Sequence, residues 1–467
     1  MTLSKVFSVL ALSFIAGVFF SVPGILLGFL IPFFFYYLYR SRVLSVFSLL
    51  FFLFGALCFL SAESFSPSLQ VPFEGSVTSI EKKGDRSEIA VSLDRFSVLL
   101  FLDRHTPYTH GDLLRVDCDL RKPSPSYYER YLRKEGIYYI CYYPQIEVVD
   151  REESFYTYLF NLREVFKERM HRAISPPQVF LLEAMTMGDR TSFSDELNEK
   201  LSIAGVRHIT AVSGMHIVIV SSLLFSLFTF FFSRRYASLA SIVFIVLFVF
   251  FVGAPASAVR AGVMGSLLLF SKAINSTAFS LRSLIFAAAL MLFFNPLLVY
   301  DVGFHLSFLA VLGIILLFPL LKEGFTTLPL EVKEGWLFSV RRVVVRLLEK
   351  RERLCDMICV TLSATLFTAP LIIYNFGNFP LFTVVSNLLI VPLLPFIFVF
   401  GVIGALTASS LLAFPAQLLL SFVFWVIETV SLLPFAALQI TGVSPFFVFI
   451  LYLFVLYYIN KRNKLAI

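Results

Sequence analysis

Apolar residues occur in long runs along most of this chain, and short polar segments separate the runs. Some runs, such as Ser241 to Val252 and Phe446 to Tyr458, contain no charged residue. A helix needs about 20 mostly apolar residues to cross a bilayer, and the successive runs approach that length. The pattern therefore predicts a polytopic α-helical membrane protein with about twelve spans. The predicted spans lie near residues 6–20, 24–39, 43–60, 208–232, 236–253, 258–271, 283–299, 303–321, 357–374, 381–405, 411–434 and 444–458.

A different pattern interrupts these runs between about Val71 and Asp150. Apolar and charged residues alternate there in short stretches, and turn signals such as His110-Gly111-Asp112 separate the stretches. Alternation with a period of two residues is typical of β-strands. The segment therefore predicts a small β-barrel of the oligonucleotide-binding (OB) type, inserted between membrane helices. An immunoglobulin-like sandwich is the alternative.

These changes of pattern divide the chain into four parts. They are N-terminal transmembrane helices at 1–60, the β domain at 61–150, amphipathic interfacial helices at 151–205, and a polytopic region at 206–467. The last part includes a segment at 322–356 in which basic and apolar residues alternate with a helical period. Such a basic amphipathic helix is typical of an anchor on anionic lipid, and a docking site for a cytosolic protein is the alternative.

The composition agrees with a location in the lipid bilayer. Of the 467 residues, 58% are hydrophobic and 56 are Phe, more apolar surface than a water-soluble core can hold. The formal net charge is +7, and the basic residues cluster in short loops. Because short loops rich in Lys and Arg stay on the cytoplasmic side, we expect both termini in the cytoplasm and the β domain outside.

Two of the five cysteines, Cys118 and Cys141, fall in the predicted outside domain. Oxidising conditions outside the cytoplasm permit a disulfide between them, and two buried thiols in neighbouring strands are the alternative. The chain contains no Cys-x-x-Cys pair, so the cysteines do not indicate a metal cluster.

Ionisable and polar residues collect where the span near 208–232 begins. The segment Gly205 to His216 contains Arg207, His208, Ser213 and His216, and the run that follows is apolar. Such groups are costly at membrane depth and usually face a bundle interior or a water-filled path. In the predicted topology, Arg260, His305 and Asn387 lie near the outer ends of other spans. Together these residues predict a polar vestibule that opens to the outside.

Each member of this cluster also has a simpler explanation. Arg207 could extend to the lipid headgroups, and His305 could make a structural hydrogen bond. His208, His216 and His305 could bind a metal, but neither a cysteine nor a pair of carboxylates lies nearby in sequence, so we predict no metal site. Small residues at Ala258, Gly262 and Ser266 repeat every four positions, which predicts close packing of that helix against its neighbours.

Sequence motifs of common enzymes are absent from the chain. It contains no Gly-x-x-x-x-Gly-Lys-Ser/Thr loop for nucleotide phosphates, and neither Gly-x-Ser-x-Gly nor His-Glu-x-x-His. We therefore expect that the protein is not an enzyme and has no cofactor.

Several motifs, in order along the chain, resemble those of the ComEC family of competence proteins. They include Leu181 to Arg190, Gly205 to His216, Ser257 to Ala261, Gly303 to Phe308 and Ser386 to Pro392. The segment Tyr127 to Ile137 resembles the end of the family's small barrel. His305 departs from the pattern, since the family motif has Gln there. Many members also carry a metallo-β-lactamase-like domain that this sequence lacks.

This resemblance implies a channel in the bacterial cytoplasmic membrane that imports single-stranded DNA during natural transformation. The path would include Arg207, His208, Ser213, His216, Arg260, His305 and Asn387. In the β domain, stacking on aromatic rings and contacts to phosphates would hold the strand. The residues of that run are Arg121, Lys122, Tyr127, Tyr128, Arg130, Arg133 and Lys134. An interfacial tyrosine belt is the other interpretation of the run.

The resemblance also implies partners. A cytosolic translocase would pull the strand, an extracytoplasmic receptor would deliver DNA, and any nuclease would be a separate protein. Two other functions fit the same residues: a secondary transporter of a small anion or metal that uses the polar vestibule, and a membrane scaffold that displays the β domain.

Overall fold

The computed structural model describes residues 3–20, 42–83, 86–103, 108–152, 154–273, 280–326, 338–440, 442–444 and 451–452. The chain forms two compact units. The first unit comprises Met1–Arg169 and Gly214–Phe304, and the second comprises Met170–Ser213 and His305–Ile467.

Within the described residues, seven helices are long and apolar enough to cross a membrane. They are Val43–Ser64, Gly214–Phe231, Arg234–Phe251, Val302–Glu323, Glu352–Phe376, Thr383–Thr407 and Ser410–Ser431. Four shorter apolar helices accompany them, at Val6–Phe19, Gln178–Met187, Ala256–Ser271 and Leu281–Phe294. The protein is therefore a multi-pass helical membrane protein.

The first unit begins with two packed helices, α1 (Leu3–Phe20) and α2 (Arg42–Ser64). The hydroxyls of Ser13 and Ser48 share a hydrogen bond of 2.5 Å between these helices. Gly17 and Gly55 lie at the contact, where any side chain would overlap a backbone carbonyl of the other helix. Glycines and small hydroxyl side chains at this contact let the two helices pack closely against each other.

The β domain follows α2. Its strands are β1 (Phe73–Lys83), β2 (Arg86–Ser92), β3 (Ser97–Asp103), β4 (Asp112–Asp117), β5 (Ile137–Tyr142) and β6 (Gln145–Arg151). They form one six-stranded sheet in the order β5-β3-β2-β1-β4-β6, in which β3 and β5 are parallel and the other neighbours are antiparallel. No pairing among the described residues joins the two edge strands, so the sheet does not close into a barrel.

The two faces of this sheet are covered differently. Val91, Val98, Leu100 and Leu114 belong to the main buried cluster on one face. Leu99 on the other face packs with Leu132 of a short helix, α3 (Ser126–Arg133). Alternate residues of β3 thus enter opposite clusters, as a period of two requires.

A helix that follows the sheet, α4 (Phe155–Ala173), is held against the turn between β3 and β4. The ring of His110 stacks on Phe160, and its Nδ1 donates to the carbonyl of Thr78 at 3.2 Å. The carbonyl of Gly111 accepts from the backbone N–H of Glu152 at 2.7 Å. Burial is the main reason that the pKa of His110 is lowered to about 4, so the imidazole is neutral at pH 7.

The remaining helices of the first unit lie in its second segment, Gly214–Phe304. They are α7 (Gly214–Phe231), α8 (Arg234–Phe251), α9 (Ala256–Ala273) and α10 (Ser280–Phe294), and a 3-10 turn at Pro296–Tyr300 ends the series. The predicted close packing of α9 is present: Ala258 is fully buried, and a Cβ on Gly262 would lie 2.9 Å from the side chain of Val249 in α8.

The second unit contains α5 (Gln178–Met187) and α6 (Asp195–Ile203), and then most of α11 (Val302–Thr326). It continues with α12 (Phe338–Phe376), β7 (Asn378–Pro380), α13 (Thr383–Ile390), α14 (Leu394–Thr407), α15 (Ser410–Ser431) and β8 (Ala437–Gln439). The strands β7 and β8 form a small antiparallel pair.

Two differences from the sequence expectation concern this unit. Helix α5 is buried rather than amphipathic, because nearly every residue from Val179 to Met187 is apolar and all except Phe180 are buried. The span predicted near 381–405 is present at Thr383–Thr407, but a 3-10 turn at Val391–Leu393 that contains Pro392 separates its two α-helical parts, α13 and α14.

Most of the predicted spans coincide with helices. The spans near 24–39 and 444–458 lie outside the described residues, wholly and almost wholly respectively. The span predicted from His208 begins later, at Gly214, because residues 207–209 form a 3-10 turn. In the basic segment at 322–356, residues 327–337 lie outside the described residues, and α12 begins at Phe338.

Candidate polar sites in the two units

The first site is the contact that α3 of the β domain makes with the loop after α10. Lys134 Nζ lies 2.9 Å from Asp301 Oδ1, and the Asn295 side chain donates to the carbonyl of Lys134 at 2.8 Å. Arg133 donates to the carbonyl of Glu63 at 3.0 Å. Arg130 lies over the ring of Tyr300, 5.1 Å from its centroid. We call this set of contacts the α3 clamp.

A hydrogen bond inside the clamp joins Tyr300 to the end of α2. The Tyr300 hydroxyl donates to Glu63 Oε1 at 2.8 Å. Burial, and then the carboxylate of Glu63, raise the pKa of Tyr300 to about 12, so the phenol keeps its proton. Arg130, Arg133 and Lys134, which the sequence suggested as DNA contacts, thus already have partners within the first unit.

The other candidates in the β domain are more exposed. Arg121 pairs with Asp119 at 2.9 Å, and both side chains are largely exposed. Lys122 is exposed, Tyr127 has 74% of its surface exposed, and Tyr128 is half-buried against the cluster below α3. A disulfide joins Cys118 to Cys141, whose Cα atoms lie 6.3 Å apart.

The second site in the first unit is a buried arginine on α9. Arg260 is 6% exposed, and its guanidinium packs against Gly214 at the amino end of α7. A Cβ at position 214 would lie 2.8 Å from an Arg260 nitrogen, so any other residue there would require the end of the Arg260 side chain to shift. His216, two residues further on, is fully buried.

In the second unit, the segment before α7 forms a compact turn. Gly205 has φ +71 and packs so tightly on Thr383 of α13 that a side chain would overlap the threonine hydroxyl. Arg207 and His208 lie on the 3-10 turn and are exposed, whereas Thr210 is buried and its hydroxyl donates to the Arg207 carbonyl at 2.9 Å. Ser213 is half-buried.

Polar groups also lie inside the interrupted span α13–α14. Ser386 is fully buried and Asn387 is 8% exposed. Within the part of the chain that the structure describes, neither Ser386 Oγ nor Asn387 Oδ1 has a hydrogen-bond partner. A buried polar atom without a partner costs about 1–3 kcal/mol, so these atoms indicate contact with water or with a ligand. His305, on α11, is half-buried.

The structure also reveals polar residues that the sequence analysis did not single out. Arg190 Nε donates to the Thr210 carbonyl at 3.0 Å. Glu183 of the buried helix α5 is 1% exposed, and its Oε1 lies 2.6 Å from His171 Nε2. In the sequence, the charged Glu183 within an apolar run was a signal that could have identified this residue. The contacts of Asp301 and Asn295 with Lys134 gave no comparable signal, because Lys134 is remote from both in sequence. Among the described residues, no group of three or more His, Cys, Asp or Glu could hold a metal ion.

Fold and sites together define a multi-pass helical membrane protein with an inserted β-sheet domain and buried polar groups among its helices. A family model described as "Competence protein" matches residues 185–464 of the chain. The protein belongs to the competence protein family, the ComEC family whose motifs it carries.

Two relatives show how far the similarity extends. The chain is 24% identical to ComE operon protein 3 of Bacillus subtilis (strain 168) over 287 residues, 61% of this chain and 34% of that protein. It is 26% identical to an uncharacterized protein of Aquifex aeolicus (strain VF5) over 327 residues, 68% of each chain. The chain thus spans only about a third of the Bacillus protein. No solved structure matches.

Proposed function

We propose that this protein acts in DNA uptake during natural transformation, as the membrane channel through which single-stranded DNA enters the cytoplasm. Membership of the competence family supports a role in DNA uptake. The observation that carries the channel proposal is the burial of Arg260 against Gly214 at the amino end of an apolar helix.

Ionisable side chains in membrane helices usually face the bundle interior or a water-filled path, where partners or water offset the cost of burial. The amino end of α7 carries partial positive charge, because its first N–H groups have no partner within the helix. Arg260 adds a full charge beside it. A strand of nucleic acid is a polyanion, and its phosphates favour such a location.

The β domain receives the strand outside the membrane. Its sheet order and parallel β3–β5 pair are compatible with an OB-like fold, which is itself a partly open barrel. Arg121, Lys122 and Tyr127 are exposed there and supply charge and a stacking surface for single-stranded DNA. Arg133 and Lys134 hold the domain in place through the α3 clamp.

The remaining elements of the proposal follow from the predicted topology and the family. The chain crosses the bacterial cytoplasmic membrane about twelve times, with both termini in the cytoplasm. An extracytoplasmic receptor delivers DNA, a cytosolic translocase pulls the strand, and a separate nuclease removes its complement. The protein itself is a conduit and not an enzyme.

Uptake of labelled DNA tests the proposal. We expect that deletion of the gene leaves labelled DNA outside the cytoplasm. Arg260→Gln should reduce uptake by about 10- to 100-fold, the range for loss of one hydrogen bond to a charged group, while immunoblots show normal membrane levels. Normal uptake in the deletion strain would contradict the function, and normal uptake in Arg260→Gln alone would contradict the role of this arginine.

A further inference from the structure

Arg190 is held in a defined position beside the turn that precedes α7. Helix α5 ends at Gly188, which has φ +76, and a Cβ there would lie 3.5 Å from Val212. The chain then brings the Arg190 guanidinium onto the carbonyl of Thr210, to which Nε donates at 3.0 Å. This bond uses one of the five N–H groups of the guanidinium and leaves the outer fork available.

Arg207 belongs to the same small structure. Thr210, which accepts the bond from Arg190, donates through its own hydroxyl to the Arg207 carbonyl at 2.9 Å. The Arg207 side chain is exposed, and Arg190 is half-buried. Partial burial, and then the positive charge of Arg207, lower the pKa of Arg190. The two arginines are thus connected through Thr210, and their like charges repel each other.

Carboxylates do not offset this repulsion. Asp189, next to Arg190, turns Oδ1 towards Thr191, accepting from its backbone N–H at 2.9 Å and from its hydroxyl at 2.7 Å. Over the described ranges of the chain, no Asp or Glu side chain lies within ion-pair distance of Arg190 or Arg207.

An anion between the two guanidinium groups would attract both of them and so offset their mutual repulsion. Arginine is suited to this role, because its planar fork matches the oxygen pairs of a phosphate group and its charge persists at all physiological pH values. The fixed Thr210 contact orients Arg190 before binding, which reduces the entropy that binding must overcome.

We infer that Arg190 and Arg207 together form a binding site for the phosphodiester backbone of single-stranded DNA. This inference rests on the proposed function and extends it by assigning Arg190 to the DNA path. The site is sequence-independent, because it recognises phosphate rather than bases. We call it the Arg190–Arg207 pair.

The test is the salt dependence of DNA binding by the full chain in lipid nanodiscs. Fluorescence polarisation of a labelled oligothymidylate is measured from 50 to 300 mM KCl. For single strands, each phosphate contact contributes about 0.7 to the slope of log K against log salt concentration. We expect the slope to be shallower by about 0.7 for Arg207→Gln and by about 1.4 for Arg190→Gln with Arg207→Gln. Affinity should fall by about tenfold for each arginine removed.

Two control variants separate phosphate binding from damage to the turn. Arg190→Lys keeps the charge and should keep most of the slope, whereas Arg190→Gln should not. Arg172→Gln removes an exposed arginine from the same unit and should leave the slope unchanged. Arg207 is exposed on the 3-10 turn, so we expect its replacement to leave the fold intact.

Unchanged slopes in Arg207→Gln and in the double variant would overturn the inference while the proposed function stands. An equal loss of slope in Arg172→Gln would also overturn it, since the effect would then follow net charge. Absence of DNA binding by the unmodified protein overturns it as well. The proposed function falls only if the deletion strain takes up DNA normally.

Discussion

Lys134 and Asp301 form an ion pair of 2.9 Å that fastens the β domain to the helical part of the first unit. Their side chains are only 10% and 16% exposed, so the pair is better shielded from water than a surface salt bridge. Asp301 Oδ1 also accepts from the Gly303 N–H at 3.2 Å. The pair is the centre of the α3 clamp and leads to the first prediction.

We expect Lys134→Asp to reduce the free energy of unfolding by about 2–3 kcal/mol, because it leaves Asp301 shielded beside a second carboxylate. DNA uptake should fall with it. The double variant Lys134→Asp with Asp301→Lys restores the pair and should recover most of both quantities. Thermal unfolding in detergent and labelled-DNA uptake measure them. Recovery of stability without recovery of uptake would show that Lys134 contacts DNA instead.

The second prediction concerns Gly214. Alanine at this position would place a Cβ 2.8 Å from an Arg260 nitrogen and displace the guanidinium. We therefore expect Gly214→Ala to reduce DNA uptake about as much as Arg260→Gln. Gly265→Ala is the matched control on α9, since its Cβ would lie 4.0 Å from Ile217, an ordinary contact. If both glycine variants behave alike, displacement of Arg260 is not the cause.

The third prediction is a pH dependence of stability that originates at His110. Its folded pKa of about 4 lies below the ordinary histidine value of 6.5, so the unfolded chain binds more protons between these values. The contribution of His110 to the free energy of unfolding is largest above pH 6.5. It decreases by about 3 kcal/mol in total as the pH falls towards 4. His110→Phe keeps a ring against Phe160 and should remove that dependence. Calorimetry of both proteins at pH 7 and pH 5 measures it, and parallel curves would contradict the assignment.

Local patterns in the sequence predicted the helices and strands well, and long-range contacts account for what they missed. The apolar runs located α7 to α10, and alternation located the strands, because both signals depend only on near neighbours. Partners far apart in sequence leave no such signal. Lys134 lies in a basic and aromatic run, and nothing in that run predicted its ion pair with Asp301, which lies 167 residues away. Arg190 lay inside a recognised motif, but its contact with Thr210 appears only in the fold.

The interruption between α13 and α14 supports the last prediction. Asn387 Oδ1 is buried without a hydrogen-bond partner among the described residues, so replacement of this oxygen removes no hydrogen bond. Leucine has the same branched arrangement of side-chain heavy atoms and no polar atom. Asn387→Leu should therefore leave the protein as stable as before or more stable by about 1–3 kcal/mol. A buried polar group that lowers stability indicates contact with water in a polar path. We therefore expect DNA uptake to fall although the variant is at least as stable.

The matched control for this variant is Asn375→Leu on α12. Asn375 is exposed, and its amide donates to the Leu371 carbonyl at 2.9 Å. Its replacement should leave uptake unchanged. Thermal unfolding and uptake are measured on both variants, with membrane levels checked by immunoblot. Loss of stability in Asn387→Leu would mean that the amide is satisfied in the folded protein. Full uptake in a stable Asn387→Leu protein would contradict a place for this residue in the proposed DNA path. A residue that contacts the strand, or water around it, is expected to lower uptake when it is replaced even though the protein is more stable.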